Sequence, residues 1–133
     1  MLIKDETGAQ RNIGFVLDVG RADGQGRCYL QVGDQHLNRA GVLHGGIITT
    51  LLDSGMGAAG SLHIDRATLP PLFTISLTVN FLAPGRPGLV EALARVTGGG
   101  RRTMFIAGEL HHQDGTLIAT ATGVFRPAAA PKP

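Results

Sequence analysis

A chain of 133 residues, 43% of them hydrophobic, is sized for one domain with a real core, which excludes wholesale disorder. The formal net charge is only +2, the basic residues are scattered and aromatics make up 5%, so a nucleic-acid partner is not expected: the clustered basic face and the stacking platforms are both missing. The lone cysteine, Cys28, excludes an internal disulfide and a cysteine-based zinc site. Met1 to Glu6 lacks the apolar run of a signal peptide, and every long apolar stretch is broken by glycines or by Asp53. A cytoplasmic protein with no membrane partner is the expectation.

Residues 1–12 carry little pattern and read as a short helix or an extended arm. Ile13, Phe15, Leu17 and Val19 recur at period two, which predicts a strand over 13–19. Gly20 to Gly26 reads as a turn, and Arg27 to Val32 alternates again, so a first hairpin ends near Gly33. A long glycine-rich apolar helix is expected from Gly46 to Leu62, opened by His44-Gly45-Gly46. Pro70-Pro71 breaks regular structure. Phe73 to Phe81 is the cleanest strand, with Phe73, Ile75, Leu77, Val79 and Phe81 predicted on one face and Thr74, Ser76, Thr78 and Asn80 on the other. Pro84 to Gly88 is a turn, Val90 to Val96 a strand, and Gly98-Gly99-Gly100 its end. Thr103 to His112 follows, then an Asp114-Gly115 hairpin signal, and Thr116 to Phe125 closes the sheet. Residues 127–133 form a loose Ala/Pro tail after a domain spanning 1–126. Two strands, one long helix and four more strands argue for an α+β fold with the helix against the sheet.

Between Gly46 and Leu62 the only charged residue is Asp53. A surface helix normally carries a charged stripe, and this one does not. The positions sharing the face of Asp53 are Gly46, Thr49, Thr50, Met56, Gly57 and Gly60, all small or weakly polar except Met56. That face is therefore expected to be covered by another chain. A lone acid in such a setting is costly unless it has a job. A helix start with glycines presents bare N–H groups to an anion or a polarised carbonyl.

The run Asn38-x-x-Gly41-x-x-His44-Gly45-Gly46, with Asp53 nine positions after the histidine, resembles the phenylacetyl-CoA thioesterase (PaaI-like) branch of the hotdog-fold acyl-CoA thioesterases. Thr74 to Pro84 is similar to the long strand after the helix in that family, and Gly100-Arg101-Arg102-Thr103 to its next turn. The resemblance spans roughly residues 13–126 and departs in the short N-terminal region, where many members carry a fuller helix. It implies an antiparallel sheet wrapped around one central helix, with acyl-CoA as substrate and partner and no cofactor or metal. It further implies Asp53 as general base or nucleophile and the Gly45 N–H as the donor that polarises the thioester carbonyl. His44 and Asn38 would line the thioester site, and Thr74 would contact the acid or its water. Each keeps a plainer reading: His44 as a helix cap, Asn38 as a turn former, Thr74 as an ordinary strand residue. For CoA, Gly46, Arg86, Arg101, Arg102 and Thr103 are the candidates, because arginine suits phosphate.

Gly45 and Asp53 are eight residues apart, hence about 12 Å along one helix. One thioester cannot meet both from a single intact helix. Two antiparallel helices across a two-fold axis bring the Asp53 of one subunit to the Gly45 of the other. A homodimer, assembling further to a homotetramer, is the expected state. The competing reading is a non-catalytic acyl-CoA sensor on the same fold; a hydratase is a third, less suited to the His44 and Asp53 placement. The acyl group is open between aryl, arylacetyl and medium-chain, with Leu51, Met56, Leu62, Leu72 and Phe73, from one or both subunits, expected to line its pocket. Gly55 to Gly60 matches G-x-G-x-x-G without the required acid downstream. No G-x-S-x-G elbow is present, and Glu109, His111 and His112 read as exposed strand residues rather than a metal site.

Overall fold

The structure, a computed structural model, describes residues 1–128. Most of the expected Ala/Pro tail, residues 129–133, therefore lies outside the described residues. The chain order is β1 (Leu2–Ile3), α1 (Gly8–Ile13), β2 (Val16–Asp18), β3 (Gln25–Val32), a 3-10 turn (Asp34–His36), α2 (Gly45–Ile64), β4 (Leu72–Phe81), β5 (Gly88–Gly99), β6 (Met104–His112) and β7 (Leu117–Pro127). One antiparallel sheet runs β1-β2-β3-β5-β6-β7-β4 and curves around α2. The α+β class and the single long helix under the sheet are as the resemblance implies.

The N-terminus departs from the expected strand over 13–19. Ile13 ends α1, because Thr7 caps that helix at Gln10 N and Gly14, at φ 92°, stops it in the left-handed region. Only Val16–Asp18 then pairs with β3, and Leu2–Ile3 adds a seventh strand beside it. Elsewhere the differences are at ends: β3 begins two residues before Arg27, Gly98 and Gly99 belong to β5, Thr103 and Thr116 lie outside their strands, and Arg126 and Pro127 extend β7.

The helix is long enough, at 20 residues or about 30 Å, to run the length of the sheet. Leu51, Leu52 and Met56 are fully buried beneath it, each contributing about 1.5–3 kcal/mol. Gly26 on β3 lets the backbone approach: a Cβ there would collide with Gly55 O and Ala59 N of α2. Met56 and Gly60, expected beside Asp53, instead face the sheet and are buried.

Strand β4 is the edge opposite β1 and departs from simple alternation. The register slips between Thr74 and Ser76, leaving Ile75 as the extra residue of a bulge. Leu77 and Val79 pack on the core as expected. Before the bulge the parity inverts: Leu72 packs inward, Thr74 reaches the helix, and Phe73 stands outside under the Arg126 guanidinium, 5.7 Å from its ring centre.

Candidate active site

The bulge brings Thr74 to Asp53. Thr74 Oγ1 donates to Asp53 Oδ1 at 2.5 Å, joining the middle of α2 to the edge strand. The second carboxylate oxygen makes no hydrogen bond among the described residues. Asp53 is half-buried and opens on a cavity of about 960 Å³. The cavity lies between α2, the N-terminal arm and the loop entering β4. Thr50, Ser54 and Gly57 share that face of the helix with Asp53.

At the helix start the four leading N–H groups divide unequally. Ile47 N and Ile48 N donate to His44 O at 2.9 and 3.0 Å, and Gly46 N donates to His44 Nδ1 at 2.8 Å. Gly45 N has no partner among the described residues. The helix therefore offers one free donor in its first turn, reinforced by the helix dipole, and it belongs to Gly45. The Gly46 N–H, a sequence candidate for CoA, is already taken. With Nδ1 accepting, the neutral His44 ring carries its proton on Nε2. His44 thus caps the helix and lines an open depression together with Leu37, Asn38, Arg39 and Ala40. Asn38 Oδ1 accepts from Ala40 N (2.9 Å) and Val42 N (3.3 Å), shaping the turn that delivers His44 to the cap. Both plainer roles are thus filled, while His44 Nε2 and Asn38 Nδ2 stay free of partners among the described residues.

The arginines are split between the two ends of the sheet. Arg86 sits in the turn tied to the start of α2 by Leu43 N to Gly85 O at 2.7 Å, and it forms an ion pair with Asp114. The Thr116 hydroxyl and N–H, ahead of the His112 and Arg86 charges, hold the Asp114 carboxyl down at about 2. Arg101 and Arg102 lie in the β5–β6 turn at the far end of β6, where Arg101 is close enough to act on Asp65 at the end of α2. That turn is closed by Gly100 N to Thr103 O at 2.8 Å, with Gly99 at φ 84°. A single protomer therefore does not gather these arginines at one place.

Of the residues expected to line an acyl pocket, this cavity gathers one within a single chain. Leu72 faces it, but Leu51 and Met56 are core residues, Phe73 is outside and Leu62 does not reach it. Its outer wall is made by residues 1–10 with Phe15, Leu17 and Val19. Nothing in the weak pattern of residues 1–12 signals this; only the polar Gln10 in that stretch, 2% exposed, is a mark in retrospect. Glu109 and His111 pair at 2.8 Å on the outer face. Among the described residues no group of three or more His, Cys, Asp or Glu could hold a metal ion, and no helix is long and apolar enough to cross a membrane. Burial pushes the Cys28 thiol up, so it is no nucleophile at neutral pH.

A sequence profile of the thioesterase superfamily matches residues 40–119, which include the Asn38–Asp53 motif from Ala40 onward and much of the sheet. A Pseudomonas aeruginosa protein, PA0474, whose name assigns it provisionally to the esterases, is 35% identical over 72% of this chain and 70% of its own. Human acyl-coenzyme A thioesterase 13 is 28% identical over 83% of this chain and 78% of its own. Among solved structures, Escherichia coli PaaI, from the phenylacetic acid degradation operon, superposes with a TM-score of 0.81 over 94% of this chain and 87% of its own; at 21% identity it speaks for the fold alone. The BH2602 protein of Bacillus halodurans, solved with CoA, gives a TM-score of 0.69 at 26% identity over 75% of this chain and 65% of its own. A half-buried acid in mid-helix, a free N–H at the helix start and a sheet wrapped around both are thus set in a known frame: the chain belongs to the thioesterase superfamily and has the hotdog fold.

Proposed function

We propose that the protein hydrolyses an acyl-CoA thioester to a free acid and CoA. The observation that carries the reading is Asp53, alone in mid-helix, held by Thr74 at 2.5 Å and opening on a cavity. Relatives named for acyl-CoA hydrolysis and a relative solved with CoA support the substrate class. The Gly45 N–H polarises the thioester carbonyl and stabilises the oxyanion of the tetrahedral intermediate. Asp53 either takes a proton from the attacking water, after which the CoA thiolate leaves, or attacks the carbonyl carbon itself, expelling the CoA thiolate to form a mixed anhydride that water then hydrolyses to the free acid. Thr74 fixes the carboxylate through one oxygen and leaves the other for the water or the carbon.

The two groups lie about 12 Å apart along α2, so the site is shared between subunits, with Asp53 facing the partner's Gly45. Strand β4 supports this arrangement. It is a ten-residue sheet edge whose Phe73, Ile75 and Phe81 are more than half exposed, a liability unless another chain covers it. Antiparallel pairing would also set Arg86 of one subunit and Arg101 of the other at the same end of the dimer, where CoA phosphates need cations. His44 and Asn38 would order the substrate from the partner side.

The test is thiol release from a panel of acyl-CoAs by the wild-type protein and by Asp53→Ala. Turnover of at least one acyl-CoA, lost by about 10²-fold or more in Asp53→Ala, is expected. Tight acyl-CoA binding with no turnover of any member would replace the enzyme by a sensor. Oxygen-18 appearing in Asp53 after a single turnover in labelled water would assign it as nucleophile.

A further inference from the structure

Glycines on the sheet-facing side of this fold have a steric reason. A Cβ on Gly26 would strike the backbone of α2, one on Gly60 the Leu72 side chain, and one on Gly123 would lie 2.9 Å from Ser76 O. Gly57 has none. It lies one turn beyond Asp53 in the interior of α2, it lines the cavity, and a Cβ there would meet nothing within 4 Å. Its φ is not left-handed. A glycine in a helix interior costs about 0.5–1 kcal/mol against alanine, and neither packing within the chain nor backbone conformation accounts for it here. What it supplies is open space beside the reactive acid.

The cavity around that space has the character of an acyl site. Where apolar, its wall is mostly aliphatic: Leu2, Ile3, Leu17, Val19, Leu69 and Leu72. Phe15 is the one aromatic and Lys4 the one basic side chain among its described lining residues. A pyrophosphate calls for several cations or clustered N–H donors, so this space does not suit the nucleotide end of CoA. Its volume, about 960 Å³, is at the upper end of small-ligand pockets and far exceeds the needs of an acetyl group.

The wall is also pinned. Gln10 Nε2 donates to Ile3 O at 2.7 Å and to Phe15 O at 3.0 Å, while Gln10 Oε1 accepts from Glu6 N at 3.1 Å. One buried amide thus ties the arm, α1 and the approach to β2 into a fixed surface facing Gly57.

We propose that this cavity is the acyl pocket, that it takes a straight aliphatic acyl chain of medium length, and that Gly57 is a specificity-determining residue because it leaves the chain room to pass Asp53. The assignment rests on the acyl-CoA reading above. The experiment compares wild type, Gly57→Ala and Gly57→Leu for kcat and KM on acetyl-, octanoyl- and phenylacetyl-CoA, with the affinity for S-octyl-CoA, a thioether that cannot be hydrolysed, read by calorimetry. Octanoyl-CoA is expected to be the best substrate of wild type. Gly57→Leu should lower the octanoyl-to-acetyl ratio of kcat/KM by about tenfold or more, mainly through KM, and weaken S-octyl-CoA binding similarly. Gly57→Ala, which adds one methyl and improves helix propensity, should move both the same way by about two- to threefold and secures the test if the leucine variant does not fold. Ratios and S-octyl-CoA affinity unchanged within twofold, an equal fall for all three substrates, dissociation of the assembled protein by Gly57→Leu, or no saturable binding of S-octyl-CoA would each overturn the pocket. A wild type preferring phenylacetyl-CoA would overturn the aliphatic class. If no acyl-CoA is turned over but S-octyl-CoA binds and Gly57→Leu weakens it, the hydrolase reading falls and the pocket stands.

Discussion

Thr74 is the residue through which the edge strand reaches the acid. Its hydroxyl donates at 2.5 Å to a carboxylate that no cation among the described residues pairs with. A hydrogen bond to a charged group contributes about 1.5–3 kcal/mol, so removing the donor while keeping the shape should be visible in kcat. Thr74→Val is expected to lower kcat on the preferred acyl-CoA by about tenfold or more with KM within about twofold, and Thr74→Ser to restore most of it. Equal loss in both variants, or none in Thr74→Val, would leave Thr74 as an ordinary strand residue. The motif resemblance pointed to this contact, and simple alternation pointed away from it. Period two puts Phe73 with Leu77 on the inner face and Thr74 outside; the bulge at Ile75 reverses that. A bulge inserts one residue without altering composition, so periodicity carries no sign of it. Asp53 was legible for a different reason, as the one charge in a long apolar helix.

Helix α2 was legible as an element because glycines, alanines and aliphatic residues dominate between His44 and His63, with Asp53 the one charge among them. Its contact side was less so, since a helix apolar nearly all round gives no stripe to orient it. Met56 and Gly60 turn to the sheet because β3, β6 and β7 offer glycines there. Gly26 makes that contact possible, and Gly26→Ala is expected to destabilise the fold by about 1–3 kcal/mol, the usual cost of overpacking, read as a lower urea midpoint with unchanged slope. At the start of β3, Asp23 accepts from both Nη atoms of Arg27, at 3.2 and 2.7 Å, and from Gln25 N. These donors, the Arg27 side chain first, hold its carboxyl down at about 2. A depressed acid stabilises the fold above its unfolded value, near 3.9, and loses that contribution as pH falls toward 2. Asp23→Asn should therefore lower the melting temperature at pH 6 and converge on wild type near pH 2. Curves that stay parallel across that window would remove the pair from the acid response.

For the whole molecule the proposed mechanism makes a demand that no single chain meets. The free N–H of Gly45 and the carboxylate of Asp53 lie about 12 Å apart on one rigid helix, and a reacting thioester needs both within roughly 3–3.5 Å. Gly45→Pro removes that N–H cleanly. Residue 45 is the first helical position, where proline is favoured, and His44 already has φ −60° and ψ 134°, the backbone that a following proline requires. The one crowding is the Phe81 ring, 3.4 Å from where the Cβ would sit. Asp53→Ala removes the other half. Each variant alone should be inactive. In a hybrid of the two, one site receives Asp53 and Gly45 intact from different chains and the other receives both substitutions. An equal random mixture, half of it hybrid, should therefore recover about a quarter of wild-type activity, and a hybrid purified on two tags about half. Purified hybrids that stay inactive, while each parent chain keeps its fold by circular dichroism, would place both groups in one chain's site and require α2 to break between them.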